Sequence, residues 1–256
     1  LSRQNTSFSD ELDIESPELV PIISYPHFSA EEYSDRIAEM RSLGVGSLMV
    51  GNGRSIVKGL SIAGKGWVGL VLRARIGSRI CALKIRRTDA DRSTMETEAR
   101  LQIIANAAGV GPRIEGHTKN LIAMQYAEGQ SISQWVRTAS VNEARRVTRS
   151  VLEQCYILDK IGLDHGQLSR LDRHVIVPDK SEDSACIIDF ESASMARKTN
   201  NVTSAAQSIF LHGTVANHIK MLLGETDKDK AIRKLREYKR SRTPGSFEEL
   251  IVSLPI

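Results

Sequence analysis

The chain is poor in residues that cross-link, ligate metals or span membranes. Cys81, Cys155 and Cys186 are its only cysteines, and no two of them form a C-x-x-C pair. A disulfide framework or zinc site is therefore not expected, and reduced, core-type thiols in a cytoplasmic protein are. The six histidines show no metal-ligand spacing. No window approaches the roughly 18 consecutive apolar residues of a transmembrane helix, so no membrane partner is expected. The first residues, LSRQNTSFSDELDIESPELVP, lack the basic-then-apolar pattern of a secretory leader. Internal repeats and low-complexity tracts are absent too.

What is present is ordinary in amount and uneven in distribution. A chain of 256 residues with 41% hydrophobic content can build one large domain or two small lobes around a real core. Residues 1–35 carry eight acids and one base, a net of −7, whereas residues 36–256 carry +11. The basic charge is densest in KDKAIRKLREYKRSR, residues 228–242, with eight Lys or Arg against two acids. Such a segment suits an anionic partner, nucleic acid first, and equally suits a solvated helix face.

Periodicity predicts the elements. Residues 1–24 are polar and acidic and read as a mobile tail. Ser29 and Glu32 have capping-box spacing ahead of an apolar stripe of Tyr33, Ile37 and Met40, which predicts a helix ending at Leu43–Gly44. Short β-rich runs follow at 47–51, 55–60, 68–75 and 79–86, punctuated by glycines. A helix is predicted over 91–108, then strands near 112–118 and 120–126. Beyond AEGQS the pattern turns helical, with a second capping box at Ser140 and Glu143. The strands HVIV and CIIDF interrupt it. The order predicts an α+β, bilobal plan, with a β-rich N-lobe over 25–126 and a mostly helical C-lobe over 127–256.

Within this frame several residues point to chemistry. Gly64, Gly66 and Gly69 form a G-x-G-x-x-G run, where glycines let backbone N–H groups approach phosphate oxygens. A β-like run follows instead of a helix, which favours a hairpin lid over a dinucleotide-binding turn. Lys84, in the Ala-x-Lys of the next strand, is placed to hold an ammonium against α- and β-phosphates. It needs a carboxylate to orient it, and Glu96 and Glu98 lie on different faces of the following helix. Glu98 is the better placed, ahead of the apolar face of Leu101, Ile104 and Ala105. Met124, Gln125, Ala127 and Glu128 suit a hinge whose backbone pairs with an adenine edge while Glu128 reaches a ribose. Asp189, closing a buried-looking strand, suits a carboxylate that holds Mg²⁺ across the β- and γ-phosphates.

Taken in order, the glycine loop, Ala-x-Lys, helix glutamate, hinge, His165-Gly166 loop and Asp189-Phe190 resemble the protein-kinase-like superfamily. The stretches EEYSDRIAEMRSLGV, ALKIRRTDADR, GVGPRI and HVIV…IIDFESA resemble its small atypical archaeal branch. That branch is a group of predicted Ser/Thr protein kinases related to the RIO kinases and the KEOPS-complex kinase. The resemblance spans roughly residues 25–225 and implies ATP and Mg²⁺ binding between two lobes. It makes Lys84 and Glu98 an ion pair and Asp189 a metal ligand. The chain departs from the family in three ways. Gln167 stands where a catalytic Asp is usual, Glu191 replaces the Gly of Asp-Phe-Gly, and no Ala-Pro-Glu segment follows. The loop is longer by about two residues, which leaves His174 at the usual metal-binding Asn; counted without the insertion, Asp172 takes that place.

General-base help is worth about 10²–10⁴ in rate, while positioning and charge neutralisation supply much of phosphoryl transfer. An active but slow kinase is therefore the expectation, with Gln167 orienting a hydroxyl and Asp164 or Asp172 as candidate bases. The implied acceptor is a protein Ser/Thr or a ribose hydroxyl of structured RNA such as tRNA. An acidic or ribosomal protein partner would satisfy the same basic segment. The alternative is an ATP-binding pseudokinase, or an RNA-binding module without transfer.

Overall fold

A computed structural model describes residues 10–51, 53–179 and 185–256. The chain is α+β and divides into two compact units, one of residues 1–100 and 113–126, the other of 101–112 and 127–256.

The first unit is built on a seven-stranded antiparallel sheet. Its elements are β1 (Asp10–Asp13), α1 (Val20–Ile23), α2 (Ala30–Ser42), β2 (Val45–Val50), β3 (Ser55–Val57), β4 (Leu60–Ile62), β5 (Gly64–Lys65), β6 (Gly69–Ile76) and β7 (Arg79–Arg86). The helix α3 (Glu96–Ala107) begins in this unit, and β8 (Ile114–His117) and β9 (Leu121–Gln125) complete it. The strand order is β1-β2-β6-β7-β9-β8, with β5 paired to β6 and β3–β4 a separate hairpin.

Alternation along the strands sorts side chains between two cores, because successive residues of a strand point to opposite faces. Cys81, Leu83 and Ile85 of β7 join Leu121 and Ala123 of β9 in a core with Ile22, Ile23, Ile37 and Met40 of the N-terminal helices. Ala82 of β7 and Ile122 and Met124 of β9 face the other way, toward Met95 and Ala99 beside α3.

The acidic segment before α2 is not a tail over residues 10–24, contrary to its composition; residues 1–9 lie outside the described residues. β1 pairs with β2 from Asp10↔Val50 to Asp13↔Ser47. Leu19, Ile22 and Ile23 are fully buried. Glu11 accepts two hydrogen bonds from Arg75, at 2.6 and 2.7 Å. Glu11 and Glu15 here pair with Arg75 of β6 and Arg41 of α2, while a one-turn apolar stripe enters the core.

Three predicted boundaries also shift. The run 55–60 turns back at Lys58–Gly59, both at positive φ (49° and 85°), and forms the β3–β4 hairpin. The helix predicted from residue 91 starts at Glu96, because Met95 is buried and its N–H is bonded to the carbonyl of Lys119. The last buried strand ends at Ile187, two residues before Asp189.

The second unit is mostly helical. It holds β10 (Gln130–Ser131), α4 (Ile132–Trp135), α5 (Val141–Lys160), α6 (Leu171–His174), β11 (Val175–Val177), β12 (Cys186–Ile187), α7 (Asn201–Phe210), α8 (Thr214–Leu223), α9 (Lys228–Ser241) and α10 (Pro244–Ser253). Its core gathers Val147, Val151, Cys155 and Leu158 from α5, Leu101 and Ala105 from the end of α3, and Phe190, Ile209, Leu235 and Tyr238. The α5 cap is the full reciprocal box of Ser140 and Glu143. At α2 only half of the predicted box forms. Ser29 accepts from the Glu32 N–H, while the Glu32 carboxylate lies 2.8 Å from Arg36 and 3.4 Å from Arg86.

Candidate functional site

The candidate residues fall in both units. In the first, the glycines form a β-hairpin: Gly64 pairs with Val71, Lys65 with Leu70, and Gly66 N–H donates to the Gly69 carbonyl at 2.8 Å. Gly69 is required sterically. A Cβ there would lie 2.9 Å from the Ile85 carbonyl oxygen and 3.1 Å from Cγ of Lys84. The hairpin's absent side chain is thus the space that the lysine's aliphatic stem occupies.

Lys84 shares a sheet face with Ala82 because they are two residues apart on β7. The first turns of α3 cover that face. Ala99 and Met95 pack on the sheet, and Glu98, three residues beyond Met95, turns the same way. The Lys84 ammonium donates to Glu98 at 2.6 Å, with the two side chains 5% and 1% exposed. Arg92 lies 3.8 Å from the other Glu98 oxygen. Glu96 is the exposed alternative, one helix face away. At the end of β9, the Gln125 N–H already donates to the Arg113 carbonyl at 2.8 Å. Any adenine pairing in this stretch therefore falls to other backbone groups. Met124 is buried and Glu128 exposed, and the chain passes to the second unit between Tyr126 and Ala127.

In the second unit, the loop from Leu163 is tied to the segment after Phe190. Asp164 exchanges backbone hydrogen bonds with Ser194 at 2.8 and 2.9 Å. Its carboxylate accepts from Arg197 Nε and from the Asn200 N–H, each at 3.0 Å. Both oxygens are committed to structure, so Asp164 is withdrawn as a candidate base. Gly166, at φ 84°, lies under the Arg197 guanidinium and the Ser192 carbonyl, where a Cβ would collide. The next residue, Gln167, donates from Nε2 to Ser192 Oγ at 2.6 Å. Its Oε1 is left as the hydrogen-bond acceptor of the amide. Asp172 lies in the first turn of the short helix α6 and is half exposed, 4.0 Å from Arg173 Nε.

His165 is fully buried, with Nε2 3.1 Å from the Ile188 carbonyl and its ring edge against Phe190. Burial lowers its pKa to about 4. His174 is also buried, and burial holds it below the usual imidazole range against the pull of the Asp189 charge. Its Nδ1 stands 3.7 Å from Asp189 Oδ2, beyond hydrogen-bond length. Asp189 has φ 70°, one of three non-glycine residues at positive φ among those described. Asp tolerates that conformation better than most residues, yet it still costs of order 1 kcal/mol and is met where function over-determines the backbone.

No group of three or more His, Cys, Asp or Glu able to hold a metal occurs among the described residues. The donor chemistry still fits a magnesium ion, which is commonly held by one or two carboxylates plus substrate phosphates. Asp189 supplies a carboxylate of that kind. His174 is a poor magnesium ligand, since that ion prefers oxygen. Burial pushes the thiols of Cys81 and Cys186 up, to about 11 and about 12.

Tyr238, the aromatic residue of the basic segment 228–242, is fully buried and donates to Asp159 at 2.8 Å, so it is not part of a surface that could meet RNA. The signal was available, because Ala231, Leu235 and Tyr238 repeat at helical spacing and are the buried face of α9. The opposite face carries Arg233, Arg236 and Arg240, all exposed.

No family model matches the chain. It is similar to the uncharacterized protein MJ1211 of Methanocaldococcus jannaschii, 27% identical over 119 residues, which is 46% of this chain and 99% of that protein. No helix among the described residues is long and apolar enough to cross a membrane.

Proposed function

We propose that the chain is an ATP- and Mg²⁺-dependent kinase whose two units are the lobes of a protein-kinase-like fold. The observation that carries the reading is the buried Lys84–Glu98 pair beside the glycine hairpin. A buried ion pair is weak support for stability, because apolar residues of similar volume commonly serve as well. A lysine held there by a carboxylate has a use if its ammonium charge serves phosphate oxygens. In this reading Lys84, oriented by Glu98, binds the α- and β-phosphates, and the hairpin covers them with backbone N–H groups. Asp189 would hold the metal, and a bound Mg²⁺ would supply neutralisation of phosphate charge there.

The acceptor is a hydroxyl oriented by Gln167 Oε1; its O–P bond forms as the bond from Pγ to the β-phosphate oxygen breaks and ADP leaves. An amide accepts a hydrogen bond but not a proton, so the hydroxyl proton passes to a phosphoryl oxygen or to water and the rate is low. The acceptor is a protein Ser/Thr or a ribose hydroxyl of structured RNA such as tRNA. The exposed arginines of α9 favour an anionic acceptor or partner. Gln167 also supports a second reading, a pseudokinase that binds nucleotide without transfer.

The test is transfer of labelled γ-phosphate from Mg·ATP, offered bulk tRNA, mixed protein or no acceptor, with Asp189→Asn as control. The substituent tolerates the same positive φ but cannot hold the metal as a carboxylate does. Transfer lost in the variant is expected. Nucleotide binding without any transfer would establish the second reading, and no nucleotide binding would refute both.

A further inference from the structure

The glycine hairpin is fastened from outside by residues that the nucleotide-site reading does not use. Arg87, directly after β7, donates its backbone N–H to the Val68 carbonyl at 2.7 Å and its Nη1 to the Gly66 carbonyl at 3.2 Å. Asp89 grips the same guanidinium at 2.6 and 2.8 Å, fixing its plane. The Tyr25 ring lies against two cations, one on the hairpin and one just after β7. The Lys65 ammonium is 5.0 Å from its centroid and the Arg87 guanidinium 5.3 Å. Tyr25 is itself anchored, since its carbonyl accepts from the Thr88 N–H at 2.8 Å. Hydrogen bonding from Lys65 and its charge draw the Tyr25 phenol below the ordinary tyrosine range.

These contacts meet at one place for a physical reason. A glycine-rich hairpin loses more backbone entropy on ordering than any other, and its tip carries Trp67, which is 88% exposed and contributes little packing. Something else must hold its shape. We propose that Tyr25 and Arg87 are positioning residues of the nucleotide site. They hold residues 65–68 in the form that presents backbone N–H groups to phosphate, and so make the segment between α1 and α2 a working part of that site. The inference rests on the kinase reading for its ligand, while the fastening itself does not.

The test uses the full chain with Tyr25→Leu, which keeps bulk but removes the aromatic face, and Lys65→Met as a second variant on the exposed side. Hydrogen exchange at the Gly66 and Arg87 amides reports the hairpin, and titration with Mg·ATP reports the site. Two exposed cation–π contacts predict exchange about tenfold faster in Tyr25→Leu and less in Lys65→Met, with Mg·ATP affinity falling by a similar factor. Unchanged exchange in both variants would overturn the fastening, whatever the nucleotide does. Faster exchange with unchanged affinity would overturn the positioning role. Faster exchange in a chain whose wild type binds no Mg·ATP would refute the kinase reading and the site role with it, leaving the fastening measured.

Discussion

Removing the Lys84–Glu98 pair in two steps separates stability from function. In Glu98→Leu, an ammonium only 5% exposed loses a carboxylate 2.6 Å away. Deleting one partner of a buried pair costs about 3–5 kcal/mol, because the remaining buried charge loses that close compensating partner. In Lys84→Met the loss is smaller, since Arg92, 33% exposed, stays 3.8 Å from the second Glu98 oxygen. That variant belongs at the lower end, about 3 kcal/mol. At about 2–4 °C per kcal/mol for a chain of this size, the midpoints fall by about 6–20 °C. The double variant Lys84→Met/Glu98→Leu carries no buried charge from the pair and fills the space with apolar volume. Its stability is expected within about 1 kcal/mol of wild type.

Mg·ATP affinity is expected to behave differently. All three variants lose the phosphate-binding ammonium or its orientation, and each falls by about 100-fold or more, the worth of a charge-assisted contact of roughly 3 kcal/mol. Thermal unfolding and calorimetric titration on the same four proteins give both axes. A stable double variant without nucleotide binding is the signature of a pair kept for its ligand. A double variant as destabilised as the two singles combined would show that the pair serves the fold. Wild-type Mg·ATP affinity in the double variant would refute the phosphate role of Lys84 and the kinase reading with it.

Other perturbations follow from single contacts. Gly69→Ala places a methyl 2.9 Å from the Ile85 carbonyl and 3.1 Å from the Lys84 stem; it should cost about 1–3 kcal/mol in denaturant unfolding and weaken Mg·ATP binding by displacing the lysine. His165 is neutral in the fold, with a pKa of about 4 against an ordinary 6.5. The unfolded chain therefore binds the extra proton between those values, so its contribution is full above pH 6.5 and is lost as pH falls toward 4, by about 3 kcal/mol. Urea midpoints across that window should fall less steeply in His165→Gln, and parallel curves would refute the assignment. On α9, reversing Arg233, Arg236 and Arg240 to Glu should lower tRNA affinity and reduce the salt slope by about three if each meets one phosphate. An unchanged slope would identify a solvated face.

What was legible in the sequence was chiefly which face of an element a residue occupies. Ala82 and Lys84 share a strand face by parity, and Glu98 rather than Glu96 shares the inward side of α3 with Met95 and Ala99. Those relations depend on neighbours within one or two turns. The rest was hidden because polar side chains take their meaning from partners far along the chain. Asp164 looked like a candidate base until Arg197 and Asn200, 33 and 36 residues on, proved to hold its oxygens. Residues 10–24 looked like a tail because their acids outnumber Leu19, Ile22 and Ile23, and the partners Arg75 and Arg41 were not in view. Tyr25 carried no motif at all; its role exists only where Lys65 and Arg87 meet its ring. Charge density misled most where it was highest. In α9 seven basic residues concealed a stripe of Ala231, Leu235 and Tyr238 whose apolar burial orients the helix. That stripe decides which arginines face outward, so a basic segment becomes a candidate binding surface only after its buried face has been found.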